Sequence, residues 1–175
     1  MSKNYFSGFS LEKEEELFTE YSLKNDFTVA GFSYGAQRAF DYVINTNDRV
    51  DLLQLFSPAF FQNKDKKYKR MQVMYFKKDP LKYCDNFLSN SIYPSNHDLQ
   101  KYFSQGSYED LDTLLNYHWS EEKLELLLSK GVKIEVFLGC EDKIIDPVET
   151  KKFFLKYANI YMIKNAGHIL HVDEL

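Results

Sequence analysis

The sequence predicts an α/β fold, and two features of its apolar pattern indicate this class. Short apolar runs of strand length alternate along the chain with segments in which apolar residues recur at helical spacing. Two of these runs stop at a glycine, Gly8 and Gly139, where a strand would give way to a turn. The chain has 175 residues, of which 44% are hydrophobic. One domain with an ample core is therefore expected.

The strands are predicted where apolar runs are short and bounded by turn residues. The first is Tyr5-Phe6, just before Gly8. Four more follow at 27–32, 50–56, 132–138 and 159–163. The fourth strand alternates apolar and polar residues, which is typical of a strand with one buried face.

Three helices are predicted between these strands. The first covers 11–21, after the candidate N-cap Ser10. The second covers 34–46, where four apolar residues form one stripe. The third covers 147–157 and opens at Pro147, because proline is tolerated in the first turn of a helix.

The stretch from about 60 to 130 interrupts this rhythm. It has no clear strand, is rich in lysine, tyrosine and asparagine, and contains leucines at helical spacing, such as Leu111, Leu114 and Leu115. We interpret it as a helical insertion between two strands of the core, within a single domain covering 1–175.

Composition argues against several classes of protein. Lysine plus arginine total 22 against 26 acidic residues, and a net charge of −4 disfavours nucleic-acid binding. No apolar run approaches the roughly 18 residues of a membrane span, and the first residues lack the apolar segment of a signal peptide. Cys84 and Cys140 are too few for a disulfide framework and are expected as reduced thiols. The expected location is the cytoplasm.

A G-x-S-x-G element, Gly31-Phe32-Ser33-Tyr34-Gly35, lies between a predicted buried strand and a predicted helix. This is the context in which the motif forms a nucleophile elbow. The serine of such an elbow lies on a sharp, strained turn, so the flanking positions need little or no side chain, as at Gly31 and Gly35. The motif marks Ser33 as a candidate nucleophile, against the alternative of a turn with a capping serine.

A nucleophile elbow requires an acid and then a histidine, each after a later strand. The turn after the fourth strand offers Asp142, with Glu141 and Asp146 as alternatives. The turn after the last strand offers His168. A buried carboxylate would fix the imidazole tautomer, and the imidazole would take the proton of the serine. Spacing alone leaves the choice of acid open.

A metal site has less support in the sequence. His168 and His171 have helical spacing, but no third ligand stands out. Neither cysteine has a histidine close to it in sequence, so a cysteine nucleophile is a weak alternative to Ser33.

The elbow, the turn with Asp142 and the Ala166-Gly167-His168 turn resemble those of the α/β-hydrolase superfamily. More closely, the chain resembles the short BioV-type esterases, which hydrolyse pimeloyl-[acyl-carrier protein] methyl ester in biotin synthesis. The likeness spans nearly the whole chain. The segments that carry it are Phe6-Ser7-Gly8-Phe9, 31–36, Leu55-Phe56-Ser57-Pro58, Lys78-Asp79-Pro80 and 131–137.

The resemblance implies a role for each site residue. It makes Ser33 the nucleophile, Asp142 the acid and His168 the base, and it implies no metal or organic cofactor. The oxyanion hole would be formed by the backbone N–H groups of Tyr34 and Phe9. The residues before Phe9 are Ser7-Gly8, where many relatives have His-Gly.

The resemblance also implies a trimmed α/β-hydrolase fold with about five parallel strands. Only 24 residues separate Gly8 from Ser33, which leaves room for one helix and no extra strand. The strands are expected near 3–7, 26–32, 50–56, 132–138 and 159–163. Right-handed crossovers between successive neighbours would place most helices on one face of the sheet. The insertion or a second copy of the chain, as a homodimer, would cover the other face.

Six cations of the insertion form a candidate docking surface, here called the basic surface: Lys66, Lys67, Lys69, Arg70, Lys77 and Lys78. From the residues alone, a solvated helix face is an equal alternative. The resemblance favours a surface for an acidic acyl carrier protein, because complementary charge speeds association and selects partners. The insertion would then form a lid over the site.

The function implied by the resemblance is a serine carboxylesterase that removes the distal methyl ester of pimeloyl-acyl carrier protein. Cleavage at the far end of the acyl chain needs a narrow apolar tunnel. Candidate lining residues are Phe9, Phe60, Phe61, Phe76 and Leu115. The alternatives are another acyl hydrolase, such as a thioesterase or short-chain carboxylesterase, and a module that binds the carrier protein without turnover.

Overall fold

A computed structural model of the chain describes residues 4–173. Within them lies a five-stranded parallel sheet in the order β1-β2-β3-β4-β5. The strands are β1 Tyr5–Phe6, β2 Thr28–Phe32, β3 Leu52–Phe56, β4 Lys133–Gly139 and β5 Asn159–Ile163. The helices are α1 Tyr34–Asn45, α2 Lys66–Lys78, α3 Pro80–Ile92, α4 Tyr108–Asn116, α5 Glu121–Ser129 and α6 Pro147–Phe154, with 3₁₀ helices at Glu14–Phe18 and Gln100–Tyr102. The predicted fold class and order of strands are confirmed, and the predicted strand start at residue 3 lies outside the described residues.

The register aligns the carboxyl ends of the central strands. Phe32 of β2 pairs with Phe56 of β3, and Phe56 pairs with Phe137 of β4. Because the strands are parallel, the turns that follow them meet at one edge of the sheet. That edge is where functional residues collect in open α/β sheets.

One face of the sheet is covered by α1, α5 and α6. Phe40 of α1 and Phe154 of α6 both pack against Trp119, with ring centroids 5.2 and 5.0 Å away. All three side chains are buried, in a core that also contains Leu124 and Leu127 of α5. Helices on one face are what crossovers between neighbouring parallel strands produce.

The other face carries a row of aromatic rings. Phe137 lies between Phe56, at 5.3 Å, and Tyr161 of β5, at 4.7 Å. Phe18 of the first 3₁₀ helix stacks on Phe56, with the ring planes 4° apart and the centroids separated by 4.7 Å. Phe18 is completely buried, so this short helix closes the face.

The insertion also covers this second face. It was one of the two predicted alternatives for this cover, the other being a second copy of the chain. Leu88 of α3, Leu99 and Tyr102 pack into the same cluster, together with Ile169 and Leu170 after the last strand. The contribution of the N-terminal segment was not predicted. A homodimer stays a prediction.

The predicted helix over 11–21 is wrong. It is replaced by the five-residue 3₁₀ helix Glu14–Phe18, which starts after Lys13 with φ 62°. Ser10, the predicted N-cap, also has positive φ (58°), and its hydroxyl accepts a hydrogen bond from the N–H of Gly106 instead. Two left-handed residues in four positions prevent a regular helix.

The insertion region contains α2 to α5 and the second 3₁₀ helix. Contacts of α2 with α3 and α4 build a helical layer, whereas α5 packs against α1 and β4 like a crossover helix of the core. Among residues 4–173, no helix is both long enough and apolar enough to span a membrane.

Candidate active site

Ser33 occupies a strained turn between β2 and α1, with φ 54° and ψ −113°. Such a conformation costs a non-glycine residue about 1–3 kcal/mol. Two backbone bonds stabilise the turn: the N–H of Ser33 donates to the carbonyl of Phe56 at 2.9 Å, and its carbonyl accepts from the N–H of Ala59 at 3.1 Å. The adjacent strand thus fixes the nucleophile elbow.

The two glycines of the motif are required by close approach of backbone atoms. A Cβ added at Gly31 would collide with the carbonyl oxygen of Gly35. A Cβ added at Gly35 would collide with the carbonyl oxygen of Phe6 in β1. The tight turn therefore depends on both glycines.

Ser33, His168 and Asp142 form one hydrogen-bonded line. Oγ of Ser33 lies 2.9 Å from Nε2 of His168, and Nδ1 of His168 lies 2.7 Å from Oδ2 of Asp142. The histidine and the carboxylate are both fully shielded from solvent. With Nδ1–H donating to the carboxylate, Nε2 is left as an acceptor for the serine proton.

Asp142 and Asp146 have different roles in this structure. The second oxygen of Asp142 accepts from the N–H groups of Ile144, at 2.7 Å, and Ile145, at 3.0 Å. Both oxygens of Asp142 are therefore held when it bonds His168. Asp146 is instead the N-cap of α6, and Glu141 is exposed. The structure thus joins Asp142, and neither alternative acid, to the histidine.

The histidine is held in place by its surroundings. The ring of Phe32 lies 5.0 Å from the imidazole. The hydroxyl of Ser57, buried after β3, donates to the backbone carbonyl of His168 at 2.6 Å. Sequence reasoning gave Ser57 no role, although the Phe56-Ser57-Pro58 segment at a strand end was a signal that could have identified it. His171, which shares helical spacing with His168, packs against His97 instead.

Of the two residues predicted to supply oxyanion donors, Tyr34 directly follows Ser33 and Phe9 lines a cavity with it. Tyr34 is the first residue of α1, where a backbone N–H has no partner within the helix. Phe9 is buried and lines the same cavity as Ser33, and its N–H donates to no backbone acceptor among residues 4–173. Both groups are available to stabilise a negative charge.

A cavity of about 530 Å³ opens next to Ser33 between the sheet edge and the insertion. A volume of this size suits a small-molecule substrate. Its apolar wall includes Phe9, Phe61, Phe87, Leu111, Leu114 and Leu115. Its polar residues include Lys78, Lys82, Asn86, Asn90 and Lys143.

Two of the five predicted tunnel residues do not line this cavity. Phe60 packs against Phe153, at 5.2 Å, in the core. Phe76 is buried behind the wall, 6.1 Å from the ring of Phe9. Large aromatic residues pack into cores more often than they line sites, and sequence alone does not separate the two.

The basic surface lies on α2. Lys69 is half-buried, and the other five cations are exposed. Lys78 lines the cavity, and Nζ of Lys77 lies 4.0 Å from the ring centroid of Tyr108. Between these cations, Met71 and Met74 are also exposed.

The chain has the α/β-hydrolase fold, which is shown by its similarity to solved structures. It is similar to the esterase EaEST from Exiguobacterium antarcticum, with a TM-score of 0.67 and 19% identity over 88% of this chain and 63% of that one. It is also similar to BioG from Haemophilus influenzae, with a TM-score of 0.58 and 12% identity over 94% and 87% of the two chains. It is similar as well to MenH from S. aureus, with a TM-score of 0.59 and 15% identity over 97% of this chain and 87% of that one.

No protein-family model and no curated protein sequence matches the chain. The chain spans less than two thirds of the length of several larger hydrolases that it resembles, among them 63% of the Exiguobacterium esterase and 53% of naproxen esterase from Bacillus subtilis. The BioV-type assignment stays a prediction.

Proposed function

We propose that this chain is a serine ester hydrolase that removes the distal methyl ester of pimeloyl-acyl carrier protein. The observation that carries the proposal is the hydrogen-bonded line of Ser33, His168 and Asp142, which opens onto a largely apolar cavity. The same arrangement on an intact elbow argues against a module that only binds its partner. The choice of substrate rests on the resemblance to the BioV-type esterases.

The first half of the reaction forms an acyl-enzyme. Oγ of Ser33 attacks the distal ester carbonyl as Nε2 of His168 takes its proton. The negative oxygen of the tetrahedral intermediate accepts hydrogen bonds from the N–H groups of Phe9 and Tyr34, and each such donor contributes about 3 kcal/mol to catalysis. The imidazolium then protonates the leaving methoxide, and methanol departs.

The second half releases the product. His168 removes a proton from water, which attacks the acyl carbonyl, and the proton then returns to Oγ of Ser33. The product is a free carboxylate at the distal end, while the thioester to the carrier protein stays intact. Asp142 remains ionised and stabilises the imidazolium in both halves.

The cavity supports a substrate with an apolar chain and a polar end. The apolar wall formed by the leucines of α4 and by Phe87 would contact a methylene chain. The polar residues fall largely on one face of α3, where Lys82, Asn86 and Asn90 recur every four residues. Such a face would suit the amide-containing arm of a carrier protein.

The basic surface supports an acidic partner. Among the described residues, none of its six cations forms a salt bridge within the chain, so their charge is not neutralised by ion pairs. Exposed Met71 and Met74 add apolar contact area beside them. We propose that an acyl carrier protein docks here and passes its arm into the cavity beside Lys78.

Mass spectrometry of the carrier protein tests the proposal. Incubation of carrier-bound pimeloyl methyl ester with the enzyme should lower the carrier mass by one CH₂ unit, and Ser33→Ala should abolish the change. Loss of the whole acyl group would identify a thioesterase. An unchanged carrier, with Ser33 still labelled by a fluorophosphonate, would identify a hydrolase of another ester.

A further inference from the structure

We propose that Glu14 is a positioning residue that aims the Phe9 N–H of the oxyanion hole. This inference rests on the proposed hydrolase function. It concerns a side chain that lies outside the triad and the elbow, and that the sequence pattern does not distinguish from its neighbours.

Glu14 is the buried member of a run of three glutamates. Its exposed fraction is 0%, whereas Glu15 is half-buried and Glu16 is exposed. One carboxylate oxygen, Oε1, accepts from the backbone N–H of Gly8 at 2.8 Å and from the hydroxyl of Tyr5 at 3.0 Å. The other, Oε2, has no hydrogen-bond partner among residues 4–173.

A buried carboxylate with one unsatisfied oxygen is costly to the folded state. An apolar side chain of similar size would avoid that cost, but it would leave the Gly8 N–H and the Tyr5 hydroxyl without their acceptor. What points to a role in positioning is the hydrogen bond to Gly8, because Gly8 directly precedes Phe9.

Both sides of Gly8 are fixed. Its N–H is held by Glu14, and its carbonyl accepts from the N–H of Leu11 at 3.3 Å. Residues 8–11 thus form a tight turn, with the positive φ of Ser10 at its third position, as in a type II turn. In the trans peptide that joins Gly8 to Phe9, the N–H of Phe9 points opposite to the carbonyl of Gly8. The Leu11 bond thus orients the peptide that bears the Phe9 donor, and the Glu14 bond holds the peptide immediately before it.

Tyr5 connects this arrangement to the sheet. Burial, reinforced by Glu14, raises the pKa of the Tyr5 phenol well above its usual range, so the hydroxyl stays a donor. Because Tyr5 lies in β1, which pairs with β2 just before Ser33, Glu14 links the oxyanion turn to the strands that carry the nucleophile.

Steady-state kinetics on p-nitrophenyl butyrate tests this role without the carrier protein. Glu14→Leu, which removes the acceptor, should lower kcat roughly 10- to 100-fold, because a misdirected oxyanion donor loses much of its effect, and should leave KM nearly unchanged. Glu14→Gln keeps an acceptor oxygen and should keep most of the wild-type kcat. If Glu14→Leu does not fold, Glu14→Met, which is unbranched and of similar length, takes its place.

Leu124→Ala serves as the control for stability, because Leu124 is completely buried on α5. It should lower the melting temperature while keeping kcat. The proposal is overturned if the apolar variants of Glu14 keep the wild-type kcat, or if Glu14→Gln loses as much kcat as they do. It is also overturned if Leu124→Ala, at a similar melting temperature, loses as much kcat as the apolar variants. Hydrolysis that persists in Ser33→Ala would instead contradict the proposed function, which separates the two failures.

Discussion

Nδ1 of His168 lies 2.7 Å from Oδ2 of Asp142, and both side chains are fully shielded from solvent. A carboxylate in this position fixes the tautomer that leaves Nε2 free to accept a proton. In the proposed reaction it would also stabilise the imidazolium that forms as Ser33 attacks. Asp142 is therefore the residue of the turn after β4 that takes part in the proposed reaction.

Exchange of each aspartate for asparagine should separate the two acids that the sequence left open. Asp142→Asn should lower kcat by roughly 10³- to 10⁴-fold, because the amide favours the wrong tautomer of His168. Asp146→Asn should keep kcat, since asparagine also caps helices well. Stopped-flow or steady-state ester hydrolysis measures kcat for both variants. A large loss in Asp146→Asn with little loss in Asp142→Asn would instead identify Asp146 as the acid.

Ser57→Ala should reduce activity without unfolding the chain. It removes the 2.6 Å hydrogen bond to the carbonyl of His168, so the histidine turn is held less precisely, and a loss of about tenfold in kcat is expected. Thr150→Ala is the matched control, because Thr150 is buried and its hydroxyl donates to the carbonyl of Asp146 at 2.6 Å. Equal losses of kcat in the two variants would argue against a role for Ser57.

Gly35→Ala should destabilise the fold by about 3 kcal/mol or more, because its Cβ would collide with the backbone of Phe6. Gly131→Ala provides the comparison, since space is open around Gly131 and only its φ of +81° is unfavourable. That variant should cost about 1–2 kcal/mol. Urea unfolding measures both values, and a mild effect at Gly35 would contradict the close approach of β1 to the elbow.

The two cysteines should differ sharply in reactivity. Cys140 is exposed, whereas Cys84 is buried and burial raises the pKa of its thiol. Titration with a disulfide reagent should modify one thiol in the native chain and two after unfolding, and Cys140→Ser should remove the native signal. Two fast thiols in the folded protein would mean that α3 opens readily.

Reversal of charge on α2 should weaken the interaction with the carrier protein selectively. The double variant Lys67→Glu, Arg70→Glu should raise KM for the carrier-bound ester, because it opposes an acidic partner, and should leave hydrolysis of p-nitrophenyl butyrate unchanged. Lys130→Glu is the control, since it lies before β4 at the opposite end of the sheet. If the double variant does not change the KM for the carrier-bound ester, the carrier protein docks at a surface other than α2.

Much of the fold was predictable because its signals are local. The strand β4 alternates in sequence, and the Gly31-to-Gly35 motif follows a buried strand, so element type and the order of the site residues could be predicted. The 3₁₀ helix Glu14–Phe18 could not be predicted, because the segment before it has positive φ at Ser10 and Lys13. That segment is bonded to the distant insertion, through Ser104 N–H to the carbonyl of Ser10 and Glu12 N–H to the carbonyl of Tyr102.

Roles that depend on tertiary contacts were likewise not visible in the sequence. Three consecutive glutamates look alike until the fold buries Glu14 against Gly8. Asp142 and Asp146 are separated by four positions, and only the geometry shows which one reaches His168. Phe60 and Phe76 were predicted to line the cavity, because residue type alone does not distinguish a side chain that lines a cavity from one that packs in the hydrophobic core.

The most direct test of the central claim is the mass of the covalent intermediate. Attack by Ser33 on the distal ester leaves the carrier protein attached to the enzyme through the pimeloyl chain. Rapid acid quench during the first turnover, followed by intact mass spectrometry, should therefore show an enzyme–carrier conjugate that is absent in Ser33→Ala. An enzyme that instead carries only a methyl pimeloyl group, with the carrier released, would contradict attack at the distal ester.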